Sequence, residues 1–189
     1  KKILNNVQKK GDFAVIHYEK KFSKIKSQSK KIKFSNDEIR KISNMVDKKL
    51  KNSINVAFNR IKRFHTKQKF LSFKYKDQYK NELAYKYSPI DKVGVYVPGG
   101  TASYPSTVLM NCIPALVAGV KNIYLTTPAF GSSVNPAIIY AAKKCGVKEI
   151  YRTGGAHSIA AFAYGTKTIK KVDKIVGPGN SFVASAKKE

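Results

Sequence analysis

Between Val93 and the end of the chain, a short β-branched run alternates four times with a stretch of helical patterning. The runs are "VGVYVPGG" (93–100), "NIYLTTP" (122–128), "KEIYRTGG" (148–155) and "VDKIVGPGN" (172–180). Between them lie the apolar "STVLMNCIPALVAGV" (106–120), "NPAIIYAAKKCGV" (135–147) with Pro near its start and Gly near its end, and "AHSIAAFAYGT" (156–166). Strands separated by helices of about ten residues predict βαβ units around a parallel sheet. Units of that kind place ligands beyond the carboxyl ends of their strands. Three glycine-bearing turns fall there: Pro98-Gly99-Gly100, Gly154-Gly155 and Gly177-Pro178-Gly179.

The first half has a different texture. Ile3, Leu4 and Val7 share one helical face, and Asp12 opens a second helix carrying Phe13, Val15, Ile16, Tyr18 and Phe22. "KIKF" (31–34) alternates like a short strand, and Ser35 with Glu38 forms a capping-box pattern. From there to about Gln68 the apolar spacing predicts helix throughout. This half carries no pattern that suggests a reaction, and it reads as scaffold.

Charge is concentrated in the same half. Of 37 basic and 11 acidic residues, residues 1–92 hold 26 and 8, a net of +18, against +8 for residues 93–189. Such a surface could attract a polyanion. Only four of the 37 are arginines (Arg40, Arg60, Arg63, Arg152), whereas bidentate phosphate and base recognition favours arginine. The lysines are also spread among Asn, Ile, Tyr and Phe, a composition that A/T-rich codons produce by themselves. The expectation is therefore no nucleic-acid partner. A basic nucleic-acid-binding protein stays as the alternative from a different class. No apolar run approaches the roughly 18 residues of a membrane span, and no signal-type apolar core follows the basic N-terminus. Two cysteines, Cys112 and Cys145, give neither metal spacing nor a disulfide framework, so a cytoplasmic setting is expected.

A polar or aromatic side chain accompanies each glycine turn. Tyr96 precedes Pro98 by two residues, His157 follows Gly155 by two, and Asn180 follows Gly179 directly. Glycines let a ligand approach the backbone closely, and the helices that follow offer N-terminal amides. The dinucleotide fingerprint Gly-x-Gly-x-x-Gly is absent, so a nucleotide or phosphate site and ordinary strand-to-helix turn chemistry both stay open. Asn180 suits an N-cap as well as a ligand contact, Tyr96 a half-buried strand position, and His157 a first helical turn. His17 and His65 have no metal-ligand partner at i+4, and no HExxH or paired-cysteine site occurs.

The stretch "VGVYVPGGTASYPSTVLMNCIPALVAGV", then "AAKKCGV", "GGAHSIAAFAYGT" and "KVDKIVGPGNSFVASAKK", strongly resembles the histidinol dehydrogenase family, in order and with similar spacing. A fainter likeness runs through "GDFAVIHYEKKF" and "NRIKRFHTKQ". The resemblance implies an NAD-dependent, zinc-containing homodimer of histidine biosynthesis. Such an enzyme oxidises L-histidinol to the aldehyde and then to L-histidine, using two NAD molecules in succession. It implies an α/β fold: an incomplete Rossmann-like parallel sheet over residues 93–189, preceded by a mostly helical segment, residues 1–92, of a second α/β domain.

The family's cofactor contacts map onto Tyr96, His157 and Asn180. Where the family usually has Gln in "GGAQ", this chain has His157, and imidazole cannot supply both amide roles at once. The likeness places no catalytic residue and no zinc ligand in this chain, because the family's zinc ligands and Glu-His pair lie beyond the segment that matches. On that basis the chain is expected to be a fragment, inactive alone, of a histidinol dehydrogenase or of a relative acting on another small amino or sulfo alcohol.

Overall fold

The computed structural model describes residues 1–22, 31–99, 104–129 and 134–189. Four helices come first: α1 (Lys2–Lys10), α2 (Asp12–Phe22), α3 (Asn36–Asn44) and α4 (Lys48–Thr66). A hairpin follows, β1 (Phe73–Lys76) and β2 (Glu82–Tyr85). The rest alternates: β3 (Lys92–Tyr96), α5 (Pro105–Ala118), β4 (Asn122–Thr127), α6 (Pro136–Lys144), β5 (Glu149–Arg152), α7 (Gly155–Tyr164), β6 (Lys174–Val176) and α8 (Ser181–Lys188). Strands β3 to β6 form one parallel sheet in the order β5-β4-β3-β6. The α/β class and the parallel sheet are those expected from the sequence.

The β-branched runs become strands because both faces of the sheet are covered, which suits near-continuous apolar sequence. The period of two then sorts the side chains. Val93, Val95, Ile123, Leu125 and Ile150 point to one face, where they join a core with residues of α5 and α6 and with Phe34, Ile54 and Phe58. Tyr96, Tyr124 and Tyr151 point to the other, in a core with residues of α1, α2, α7 and α8. Gly94 also lies on the tyrosine face. A Cβ there would come within 2.8 Å of the Phe162 ring, so only glycine lets α7 seat this close.

The N-terminal helices are the outer parts of both layers: α3 packs on α6, α4 on α5, and α1 and α2 on α7. Ionic contacts reinforce the seams. Arg152 pairs with Glu38 at 2.7 Å, and its guanidinium lies 3.9 Å from the centre of the Phe34 ring. Lys33 pairs with Glu149 at 2.8 Å.

Three local readings need correction. The helix expected from Ser35 to about Gln68 is two helices. It breaks after Asn44 because Asp47 turns out of helical geometry and accepts the Leu50 N–H at 2.8 Å as an N-cap. "KIKF" is not an independent strand. It runs antiparallel along the free edge of β5 through one bridge, Lys33 to Tyr151, with Phe34 N–H donating to the Ile150 carbonyl. Its alternation is real, since Ile32 and Phe34 are buried between exposed lysines. The hairpin β1–β2 was not anticipated at all. Its turn is built by Asp77, whose carboxylate accepts from the backbone N–H groups of Tyr79 and Asn81.

Two carboxylates at the β5 edge make stability depend on pH. Burial pushes the Glu38 carboxyl up, but the Ser35 N–H and Arg152 outweigh it and hold it below its ordinary range. Burial of Glu149 is likewise outweighed by Lys33 and the Tyr151 hydroxyl. Groups with depressed pKa stabilise the fold above their unfolded value, about 4.3 for Glu, and lose that contribution as pH falls through the folded value. The melting temperature should therefore drop steeply below about pH 4.3, and a Glu38→Gln/Glu149→Gln variant should show a shallower drop from a lower plateau. Identical acid profiles for the two proteins would contradict this assignment.

Candidate functional site

The strand order defines where a ligand can enter. From β3 the chain steps outward to β4 and β5, then returns to place β6 on the other side of β3. Helix α5 leaves β3 toward the aliphatic face, while α8 leaves β6 toward the tyrosine face. Adjacent strands whose connections depart to opposite faces leave a crevice beyond their carboxyl ends. In this strand order the reversal falls between β3 and β6, beside Val97–Gly99 and the Gly177–Asn180 turn. Gly100, expected in the first of these turns, lies outside the described residues.

Tyr96 holds the surrounding turns together. Gly177 adopts φ +107°, and a Cβ on it would stand 2.0 Å from the Tyr96 carbonyl oxygen. The turn after β6 thus lies directly on the backbone of β3, and no side chain fits between them. The Lys187 ammonium donates to the Gly177 carbonyl at 2.5 Å, and partial burial pushes its pKa down. On its other side, the Tyr96 hydroxyl accepts the Gly155 N–H at 3.3 Å. Burial pushes this phenol up, so it stays neutral and cannot serve as a base near pH 7.

His157 is placed differently from what a cofactor edge suggests. It is 2% exposed, with Nε2 2.9 Å from Glu19 Oε2 and Nδ1 buried without a hydrogen-bond partner among the described residues. The rings of Tyr18 and Phe22 lie 6.0 and 6.2 Å away. The same Glu19 oxygen accepts from the Thr153 hydroxyl at 2.8 Å and from the Gly154 N–H at 3.1 Å. A carboxylate from α2 therefore fills the amino end of α7, where the helix dipole favours negative charge. That position is closed to a phosphate. Asn180 is exposed, and its Oδ1 accepts the Val183 N–H at 3.0 Å as the N-cap of α8. The cap occupies its carbonyl oxygen, and none of the described hydrogen bonds uses its amide NH2.

Tyr96 and the His157 turn are thus joined through Gly155, and Tyr96 meets the Asn180 turn through Gly177. Among the described hydrogen bonds, none links Asn180 directly to Tyr96 or His157. Sequence reasoning missed Glu19. With Asp12 it is one of two acidic residues in the first 36, and they lie seven residues apart on one face of α2. Asp12 binds the hydroxyls of Thr166 and Thr168, just past the end of α7. The two carboxylates clamp α7 at both ends, and their i,i+7 spacing in an otherwise basic segment was the available signal. Among the described residues, no three His, Cys, Asp or Glu side chains stand close enough to hold a metal ion.

The fold is a Rossmann-like α/β layer whose strand order reverses at β3. All of residues 1–189 match the histidinol dehydrogenase family model. The histidinol dehydrogenase of Pelagibacter ubique is 54% identical over 188 residues, covering 100% of this chain and 43% of the relative. That of Carboxydothermus hydrogenoformans is 48% identical over 188 residues, covering 100% and 44%. The crystal structure of the Elizabethkingia anophelis histidinol dehydrogenase superposes with a TM-score of 0.92 at 40% identity, covering 99% of this chain and 43% of that one. The chain belongs to the histidinol dehydrogenase family, and it spans less than half the length of these relatives.

Two substitutions test the described geometry. Gly177→Ala should cost about 1–3 kcal/mol from backbone strain alone, with displacement of Tyr96 added. Glu19→Ala strips the three described donors of a shielded carboxylate and should cost about 2–3 kcal/mol. Urea denaturation measures both. A loss below about 0.5 kcal/mol, the range of an ordinary surface change, would contradict the corresponding contact.

Proposed function

We propose that this chain carries the NAD-binding layer of a dehydrogenase that oxidises L-histidinol to L-histidine through the aldehyde. The observation that supports this most is the reversal of strand order at β3, beside the Gly177–Asn180 turn, in a chain of this family. The donor set suits a dinucleotide. Gly177 and Gly179 let the turn pack tightly on Tyr96 and Val183, the Asn180 amide offers a donor, and the backbone N–H groups at the start of α8 face the same end of the sheet. Bound NAD supplies a hydride acceptor at its nicotinamide.

The chain's own residues bind and orient. Asn180 donates to the cofactor while its oxygen keeps α8 capped. Tyr96 fixes the two turns against each other and holds its proton. Glu19 and His157 keep the amino end of α7 rigid and dry, so His157 acts on the cofactor through the turn that it stabilises. In this reading residues 93–189 form the nucleotide-binding unit, and residues 1–92 belong to a first domain whose helices α1–α4 buttress it. Zinc, which the family also uses, finds no ligand set among the described residues.

The same reading makes the assembled enzyme a cytoplasmic homodimer acting on a small alcohol. Both cysteines are free and buried, which suits a reducing compartment. No helix among the described residues is long and apolar enough to cross a membrane.

Calorimetric titration with NAD tests the proposal. Asn180→Ser retains a capping oxygen but removes the amide donor. It should weaken NAD about tenfold, or about 1.4 kcal/mol, with the urea midpoint unchanged. No heat of binding from the unmutated chain at millimolar NAD, or an equal dissociation constant for the variant, would contradict it.

A further inference from the structure

Helix α8 turns one stripe of its surface back on the turn that precedes it. Asn180, Val183 and Lys187 follow one another at intervals of three and four residues, so they share one face. Each holds a different part of the Gly177–Asn180 turn. Asn180 caps the helix through its Oδ1. Val183 is fully buried and closes over Gly179, where a Cβ would stand 2.3 Å from Val183 Cγ1. The Lys187 ammonium reaches 10 residues back along the chain to the Gly177 carbonyl.

That reach runs against two ordinary preferences. A lysine in the last turn of a helix is most stable near the carboxyl end, where the helix dipole favours positive charge. Lys187 instead carries its charge to a residue that precedes the amino end of α8. Its ammonium is also partly withdrawn from water, which pushes its pKa down. Among the described ion pairs, none involves Lys187.

The turn is what gains. Residue 178 is proline, so the peptide after Gly177 has no N–H, and its carbonyl is the group through which a hydrogen bond can fix its plane. Gly177, at φ +107°, has no side chain to anchor it. A charge-assisted bond from Lys187 supplies that anchor.

We propose that Lys187 is a positioning residue for the cofactor: it fixes the Gly177–Pro178 peptide and, through it, the direction in which the Asn180 amide faces. This role rests on the reading of the turn as part of the NAD site. Lys187 acts through the turn and not through its charge on the cofactor. Another cationic donor can therefore replace it, whereas loss of a neighbouring charge that does not touch the turn has no effect.

Three variants of the full chain separate these effects. Lys187→Met keeps most of the length and loses the donor, and Lys187→Arg keeps a cationic donor. Lys188→Met removes an adjacent charge that no described contact ties to the turn. Affinity is read by calorimetric titration with NAD, the Gly177 carbonyl by its carbon resonance in the NAD-free chain, and folding by the urea midpoint. Lys187→Met should weaken NAD about tenfold, with Lys187→Arg and Lys188→Met within about threefold of the unmutated chain. The Gly177 carbonyl resonance should move upfield in Lys187→Met and return in Lys187→Arg. An unmoved resonance in Lys187→Met would overturn the proposal and leave the cofactor reading standing. An equal dissociation constant for that variant, with or without a lowered urea midpoint, would do the same by making the contact structural alone. A loss in Lys188→Met as large as that in Lys187→Met would also overturn it, since overall charge would then be the cause. No heat from the unmutated chain at millimolar NAD is the separate result that removes the cofactor reading, and this role with it.

Discussion

Tyr96 is the residue on which the ligand edge depends. Its carbonyl underlies Gly177, and its hydroxyl receives the Gly155 N–H. One residue at the end of the central strand therefore fixes the turn after β6 and the turn after β5. Register dictates both contacts. Tyr96 pairs with Thr126 at the last rung between β3 and β4, beyond which its neighbours must find partners outside that ladder. The strand order reverses at β3, and at that point Gly177 lies on the Tyr96 backbone.

A second set of contacts keeps that edge from loosening. Helix α7 begins at Gly155 and carries no side-chain cap of its own. Its stability comes from outside: Glu19 at its start, Asp12 just past its end, and Phe162 seated in the space above Gly94. The N-terminal helices are thus a working part of the site, although none of their residues reaches the crevice by a described hydrogen bond. A change in α2 should be felt at the Gly154–Gly155 turn and, through Tyr96, at the turn after β6. The imidazole of His157 serves this support, since its Nε2 lies on Glu19 and away from solvent.

Much of this architecture was legible in the sequence because it rests on local pattern. Buried parallel strands need β-branched runs such as Val93–Val97, and helix ends need residues such as Asn135, Pro136 and Gly119. The break between α3 and α4 was hidden because Met45 and Val46 continue the apolar spacing, while the deciding contact is a single Asp47 cap. The hairpin was hidden for the opposite reason. Its alternation puts aromatics on an exposed face, and exposed aromatics do not register as a core pattern. Glu19 could not be found by spacing to the glycine turns, since its partners lie more than 130 residues away. Of the candidate site, Tyr96 and Asn180 announced themselves by adjacency to glycine. What they bond to is a tertiary fact.

The central claim is that one crevice, organised by Tyr96, receives the cofactor. Titrating the isotopically labelled chain with NAD and following backbone amide resonances tests it most directly. The account predicts that Gly99, Gly155, Gly177 and Asn180 shift together along one saturable curve with a common dissociation constant. Shifts confined to other surfaces, or none at these four amides at millimolar NAD, would contradict it.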